Sequence, residues 1–386
     1  MKITLERDVL ADAVAWAARS LPQRPSLPIL AGLLMKAAGD EVVLSSFDYE
    51  TSAKITVPAH VQEEGEALVS GKLLADIAKS LPNKPVEFTA GPSSAELVCG
   101  KVRFTLQTLP TDEYPALPQM PSVAGKISAS EFAEGVNQVV VAAGRDELLP
   151  IFTGVKLVIG PESITMLATD RYRMAQKQLK WDAVATEEAV ALVPAKVLSE
   201  ASKALQNSDE VLISLAKEVS GDGLIGFQGT HNGVTSQITT RLLDGEFPKV
   251  EKLMEITPSV SVRANTSEVI ASVKRVALVA ERNTSMRMAI EAGGITLEAA
   301  TGDQAQAVES LEAVVEDHSG GEGLAVTAAG FNPHYLQDAL NVLDSPFVSF
   351  EFTAPGKPCV LTQLDEIDGD PRPGYRHVIM LMRLPV

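Results

Sequence analysis

Internal repetition constrains this chain more than any other feature, because a plan that recurs at domain scale fixes both the architecture and the number of domains. Three stretches open alike: KITLERDVLADAVAWAARSL from Lys2, KISASEFAEGVNQVVVAAGR from Lys126 and SVSVRANTSEVIASVKRVALVAER from Ser259. Each reads as a short alternating strand, a polar start and about four turns of amphipathic helix. The starts lie 124 and 133 residues apart, far too long a period for a solenoid.

The segments after each helix match as well. LPILAGLLMKAAGDEVVLSSFDYETSAKITV from Leu27 parallels LPIFTGVKLVIGPESITMLATDRYRMAQKQL from Leu149 and SMRMAIEAGGITLEAATGDQAQAVESLEAVV from Ser285, each a strand-turn-strand-turn-strand pattern. A second half repeats the plan as strand, helix, strand in ALVSGKLLADIAKSLPNKPVEF, ALVPAKVLSEASKALQNSDEVLI and LAVTAAGFNPHYLQDALNVLDSPFVSF. The fold class is therefore α+β, three tandem domains of two βαβββ halves each. Proline-containing stretches near residues 117–125 and 255–260 set the expected limits at 1–122, 126–250 and 258–386. Repetition by itself says architecture and leaves function open.

Several chemistries lose support. GDGLIG, from Gly221, fits GxGxxG, but FQGTHNGVTSQITTRLL comes after it and alternates like a strand, so a hairpin is expected rather than a dinucleotide loop. No phosphate-binding GxxxxGK[ST] and no GxSxG elbow is present. His60, His231, His318, His334 and His377 lack metal-ligand spacing and read as ordinary loop or surface histidines, and no cofactor is implied. Cys99 and Cys359 form no CxxC or Cys/His cluster, which suits a reducing, cytoplasmic setting. No signal core and no membrane-length apolar run is seen, so no membrane partner is expected.

Charge sharpens the picture. With 50 acidic against 33 basic side chains, the net charge of −17 argues against a whole-surface grip on nucleic acid. The expected helices nevertheless carry bases: Arg19, Lys72, Lys79, Arg145 at the close of the third, Lys196, Lys203, Lys274, Arg275 and Arg282. Those at helix C-termini suit the macrodipole. A sharper reading has all the helices lining one surface, whose summed bases draw in a polyanion without fixing it at any base.

With these features the chain resembles the bacterial DNA polymerase III beta subunits, the replication sliding clamps, over essentially its whole length. MKITLERDVLADAV, RPSLPIL (Arg24 to Leu30), ATDRYRMA (Ala168 to Ala175), DGEFPKVEKLM (Asp244 to Met254) and HVIMLMRL (His377 to Leu384) carry the resemblance. It implies a head-to-tail homodimeric ring of six domains, helices lining a central channel and sheets outside, with double-stranded DNA passing through irrespective of sequence. It implies no catalysis. Partners would be the replicative polymerase alpha subunit, clamp-loader subunits and repair or translesion polymerases, each inserting a short linear peptide into a hydrophobic cleft between the second and third domains.

Carried over residue by residue, the resemblance assigns Phe152, Thr169, Arg171, Tyr172, Arg173, Met174, Pro248, Lys252 and Leu253 to that cleft. It adds Val378, Ile379, Met380, Leu381, Met382, Arg383 and Leu384 from the C-terminal stretch. Tyr172 and Met174 would supply apolar wall, Met380 and Met382 adaptable packing, and Arg173 a donor for a peptide carbonyl or carboxylate. DNA contacts would fall on Arg24, Lys72 and Lys196, and the subunit joint on Leu278 and Val279. The chain departs from the family at Leu381, where proline is frequent, in the added Pro385-Val386, and near Asp146 and Leu149, where other family DNA-contact positions fall on non-basic residues.

Two other classes compete: a hydrolase or transferase using Asp170 and Arg173, and a tandem-repeat adhesin. The first lacks a supporting histidine or metal set, the second a signal segment. The basic-aromatic run Arg171-Tyr172-Arg173-Met174 is peculiar to the middle copy; Phe47-Asp48-Tyr49-Glu50 and Thr301-Gly302-Asp303-Gln304 stand in its place elsewhere. A feature present once per chain points to a binding surface rather than to a DNA contact repeated in every domain.

Overall fold

Alternating strands and short amphipathic helices assemble as the repeat demands. A computed structural model describes residues 1–184, 186–216, 223–280, 284–302, 304–321 and 323–384. Arg282, Asp303, Gly221, Asp222 and the Pro385-Val386 extension lie outside the described residues. Six α-helices occur among them: α1 Arg7–Ala17, α2 Gly71–Ser80, α3 Ala129–Val140, α4 Ala195–Leu205, α5 Thr266–Val276 and α6 Pro333–Asn341.

Each helix buries one stripe. In α1 the buried set includes Leu10, Ala13, Val14 and Ala17, at i, i+3, i+4 and i+7, and in α5 it includes Val269, Val273 and Val276. Caps define the starts where the sequence offers them. Asn265 Oδ1 accepts the Glu268 N–H at 3.1 Å, and Asn332 Oδ1 accepts those of His334 and Tyr335 at 3.0 and 3.4 Å. The helices run about three turns, one shorter than the periodicity suggests, because α1 and α5 end in 3₁₀ turns at Ala18–Ser20 and Ala277–Val279. Arg145 stands beyond the end of α3 rather than closing it. No helix of the described residues is long and apolar enough to cross a membrane.

The chain divides into two compact units. The first comprises Met1–Ala133, Gly160–Glu162 and Lys180–Leu242; the second comprises Glu134–Ile159, Ser163–Leu179 and Leu243–Val386. Within the first, strand Thr51–Pro58 of copy one pairs antiparallel with strand Val234–Arg241 of copy two, Thr51 opposite Thr240 through Thr56 opposite Thr235. Hydroxyls of Ser52 and Thr239 bond 2.6 Å apart across that joint. Within the second, strand Arg173–Lys180 of copy two pairs antiparallel with Tyr375–Ile379 of copy three, Arg173 opposite Ile379. The fourth strand of one copy thus joins the last strand of the next, twice.

Among the described residues a third such joint is left open. Strand Ala305–Glu312 of copy three pairs with Gly294–Thr301 on one side and forms the edge of its sheet. The last strand of copy one, Val102–Leu109, pairs with Ser94–Cys99, and on its other side only Thr108 and Leu109 meet strand Gly65–Ser70.

The hairpin expected after GDGLIG is present: Leu224–His231 pairs with Val234–Arg241 through Asn232 and Gly233, both at positive φ (50° and 78°). That is the turn type an Asn-Gly pair favours, and no helix comes next to hold a dinucleotide. One histidine corrects the expectation of loop and surface positions. His377 is fully buried in strand Tyr375–Ile379, its Nδ1 3.1 Å from the Tyr375 hydroxyl. No cluster of potential metal ligands occurs among the described residues.

Candidate functional site

The middle-copy cluster sits on a turn that its own side chains build. Strands Ser163–Thr169 and Arg173–Lys180 are joined through Asp170, Arg171 and Tyr172. Asp170 Oδ1 accepts the N–H groups of Tyr172 and Arg173, both at 3.0 Å. The Thr169 hydroxyl donates to the Arg173 carbonyl at 2.7 Å and accepts the Arg171 N–H at 3.1 Å. Arg171 is thereby held at φ 79°, a left-handed conformation that few non-glycine residues adopt. Copy one repeats the device with Asp48, which caps Glu50 and Thr51 at 3.0 and 2.7 Å, and with Tyr49 at φ 76°. Copy three uses Gly302 at φ 46°.

Arg173 differs from the role expected of it. Its Nε donates to Asp170 Oδ2 at 3.0 Å, a terminal nitrogen donates to Asp338 Oδ2 at 2.6 Å, and the guanidinium lies 4.5 Å from the Tyr335 ring centre. With 5% of its surface exposed and two carboxylates engaged, Arg173 braces the site and is not free for a ligand carboxylate. Asp170 is equally occupied. One oxygen holds two amides and the other Arg173, so the Asp170–Arg173 pair is a structural clamp and not an acid-base couple.

Around this clamp lies a cavity of about 570 Å3, within the range of ligand pockets. Phe152, Arg171, Tyr172 and Arg173 line it. The other walls are residues that the resemblance does not assign to the cleft: residues 143–146, Leu149 and Asp170, and His334, Tyr335 and Asp338 of α6. Tyr172 and Tyr335 stack with ring centres 6.2 Å apart, while the Arg171 guanidinium lies 5.6 Å from the Phe152 ring and 5.8 Å from that of Tyr172. Tyr335 and Asp338 are one turn apart on α6, so they share a face, but nothing in their local sequence points to Arg173.

The remaining carried-over residues take several positions. Thr169, Met174, Val378 and Ile379 are buried in the strands behind the cavity. The Met380 N–H donates to the Tyr172 carbonyl at 2.9 Å, and the Met382 N–H to the Gly330 carbonyl at 2.8 Å, so the half-buried Met380–Met382 segment runs on from the strand. Glycine is required at 330: a Cβ there would meet the Met382 carbonyl oxygen at 2.6 Å. Leu381 packs against the core of copy three, Arg383 is exposed, and Leu384 is half-buried. Pro248 is half-buried and Lys252 and Leu253 are exposed, off the lining of the cavity.

Of the residues expected at DNA, Arg24, Lys72 and Lys196 are all exposed. Lys72 and Lys196 occupy the second position of α2 and α4. There the helix dipole disfavours a cation, so helix stability does not explain them. Leu278 is 84% exposed on the 3₁₀ turn after α5, and Val279 packs against the core. Asp146 and Leu149, departures from the family's DNA contacts, both border the cavity instead.

Comparison with known proteins matches this geometry to a family. Models of the DNA polymerase III beta subunit match its N-terminal domain at residues 1–118, its central domain at 126–249 and its C-terminal domain at 257–382. A beta sliding clamp from Streptomyces coelicolor is 48% identical over 385 residues, covering 100% of both chains. A beta sliding clamp homolog, GriR, from Streptomyces muensis is 38% identical and covers 99% of each. Among solved structures, the DNA polymerase sliding clamp from Bacillus subtilis superposes with a TM-score of 0.87 at 25% identity over 100% of both chains. The three-domain clamp fold, the full-length matches and the recurring strand plan agree: the chain belongs to the DNA polymerase III beta subunit family, the sliding-clamp processivity factors, which have no catalysis of their own.

Proposed function

We propose that two copies of this chain close head to tail into a ring of six domains that encircles double-stranded DNA, with helices lining the channel and sheets outside. The open strand edge carries this reading. Two joints between successive copies are made by pairing a fourth strand with a last strand, and Ala305–Glu312 and most of Val102–Leu109 are the corresponding edges without such a partner among the described residues. Pairing them between two molecules satisfies both edges, and repeating it closes a dimer. Leu278, beside that edge and 84% exposed, gains cover in such a joint, with Val279 packing behind it. Domain limits of 1–122, 126–250 and 258–386 accord with the same repeat.

Arg24, Lys72 and Lys196 are the DNA contacts in this reading. Few, exposed bases in a chain of net charge −17 favour topological retention over tight binding. The cavity at Phe152, Arg171 and Tyr172, extended by Pro248, Lys252, Leu253 and the 378–384 segment, receives short linear peptides of the replicative polymerase, clamp loader and repair polymerases. Two buried Leu or Phe anchors contribute about 1.5–3 kcal/mol each before ordering costs, so affinities near micromolar, about 8 kcal/mol, are expected. Sites of that strength suit partners that exchange.

The test is topological. The ring is loaded on nicked circular DNA, which is then linearised. Release on linearisation is expected, and retention on DNA with free ends would sink the ring reading.

A further inference from the structure

We propose that Met120, seated on Gly226, is the latch of a strap that locks copy one to copy two and holds the open edge of copy one in place for its partner; the part concerning the edge rests on the ring reading above. The strap is the connection between the two copies, residues 115–121. Among the described residues no backbone–backbone hydrogen bond ties it to the rest of the chain, so side chains hold it. At its copy-one end the Tyr114 hydroxyl accepts the Phe47 N–H at 2.8 Å and donates to the Gly32 carbonyl at 3.4 Å. Leu117 packs against the small cluster of Phe47, Leu68 and Tyr114. At its copy-two end the half-buried Met120 lies on strand Leu224–His231 at Gly226. Between these ends the strap stands off the sheet over a cavity of about 470 Å3, bordered by Leu117, Met120, Ser52, Lys54 and Thr239.

The strap crosses the joint between the copies on its polar face. There Ser52 stands opposite Thr239 and Lys54 opposite Gln237, so Leu117 and Met120 supply the apolar cover that the strands lack. Gly226 fits this role. Its backbone is not left-handed, and a glycine inside a strand costs stability, so conformational freedom does not account for it. A Cβ at 226 would collide with the Met120 sulfur, and the missing side chain is what makes the seat. An unbranched thioether suits such a notch. Strand Val102–Leu109, the open edge of copy one, ends at Leu109, which packs on the same Phe47–Tyr114 cluster as Leu117. Edge, strap and seat are therefore one continuous run of chain from Val102 to Met120. A single half-buried side chain contributes far less than the fold as a whole, so the latch opens while both copies stay folded.

The test combines amide hydrogen exchange with sedimentation of the full-length protein, unaltered and as Met120→Ala, Gly226→Val and the pair. Met120→Ala removes the latch, and Gly226→Val fills its seat with a residue that strands favour. Either single change should speed exchange of the joint amides, within 51–57 and 234–241, about 3- to 10-fold, as expected for a half-buried methionine. The pair should exchange no faster than the faster single variant, because both substitutions remove one contact. Exchange in Met286–Glu291 and Gly294–Thr301 of copy three should stay as it was. The dilution midpoint of the dimer should rise about 2- to 10-fold, and by no more than the exchange factor. Additive effects of the two substitutions, equal acceleration in copy three, or an unmoved midpoint would each overturn this inference and leave the ring standing. A single-chain mass for the unaltered protein at every concentration would overturn the ring reading and the strap's role at the edge, while the exchange cycle still decides the latch.

Discussion

Arg173 shows how a residue chosen for its charge can serve by its packing. Its guanidinium is shared between Asp170 and Asp338 and covered by Tyr335, so it ties the middle-copy turn to α6. Arg173→Ala strands a largely buried Asp170 carboxylate and should cost about 2–4 kcal/mol in chemical denaturation, with loss of affinity in a peptide titration. Asp338→Asn should cost less than about 1 kcal/mol, because that carboxylate side chain is 42% exposed. A second buried group lies behind the turn. Burial, reinforced by the nearby Arg173 charge, pushes the His377 pKa down to about 3 from its ordinary 6.5. Its folded value lies below its unfolded one, so the neutral form is favoured in the native state. Its contribution is whole above about pH 6.5 and is lost as pH falls toward 3, by roughly 1.4 kcal/mol per unit. A His377→Gln variant should therefore lose stability less steeply between pH 6.5 and 4 than the parent, measured by denaturant melts across that range. Parallel slopes would remove His377 from the account.

At the scale of elements, the open edge of strand Ala305–Glu312 and the first turns of α2 and α4 matter most for the proposed function. An exposed edge strand invites pairing, and Val308, 57% exposed on it, contributes apolar surface to the proposed joint. Arg275, at the end of α5, donates to Glu309 of this strand at 2.9 Å, and that contact holds the Glu309 carboxyl below its ordinary range. Leu278→Asp combined with Val308→Lys should shift the solution mass from about twice 41.0 kDa to the monomer value, read by light scattering across a dilution series. A mass unchanged by the pair of substitutions would place the joint elsewhere. Lys72 and Lys196 sit where the helix dipole opposes them. Lys72→Glu with Lys196→Glu should weaken loading onto circular DNA and flatten the salt dependence of loading, while retention of closed rings and peptide affinity at the cleft stay the same.

Across the whole molecule, an acidic chain that acts on DNA is consistent only if most of its charge stands away from the DNA path. Raising salt should then weaken loading yet leave closed rings on circular DNA largely in place, because topology and not ion pairing retains them. The repeat made the architecture legible from residue order alone: alternation of period two and stripes at i, i+3, i+4 and i+7 are local signals, and three copies of the same signals reinforce one another. The Asp turn was half legible, since Thr169-Asp170 and Asp48 stand at matching places. Its cost in left-handed residues was not, because a backbone angle leaves no mark on residue type once a side chain cap enforces it. His377 went unread for a related reason. A buried histidine looks like any other when its partner Tyr375 is two positions away on the same face of one strand.

The sequence by itself determined the number of copies, the α+β plan, the exclusion of recognisable nucleotide and metal motifs, and the single occurrence of Arg171-Tyr172-Arg173-Met174. These depend on periodicity and spacing, which local residue order carries. Tertiary structure decided what each charged side chain meets. It brought Asp338 and Tyr335 to Arg173 across 165 and 162 residues of chain and, among the described residues, left Arg171 without an acid and one strand edge open. Pairings over such separations come from packing the copies together, and the energy of a charge depends on its nearest neighbours in space rather than along the chain.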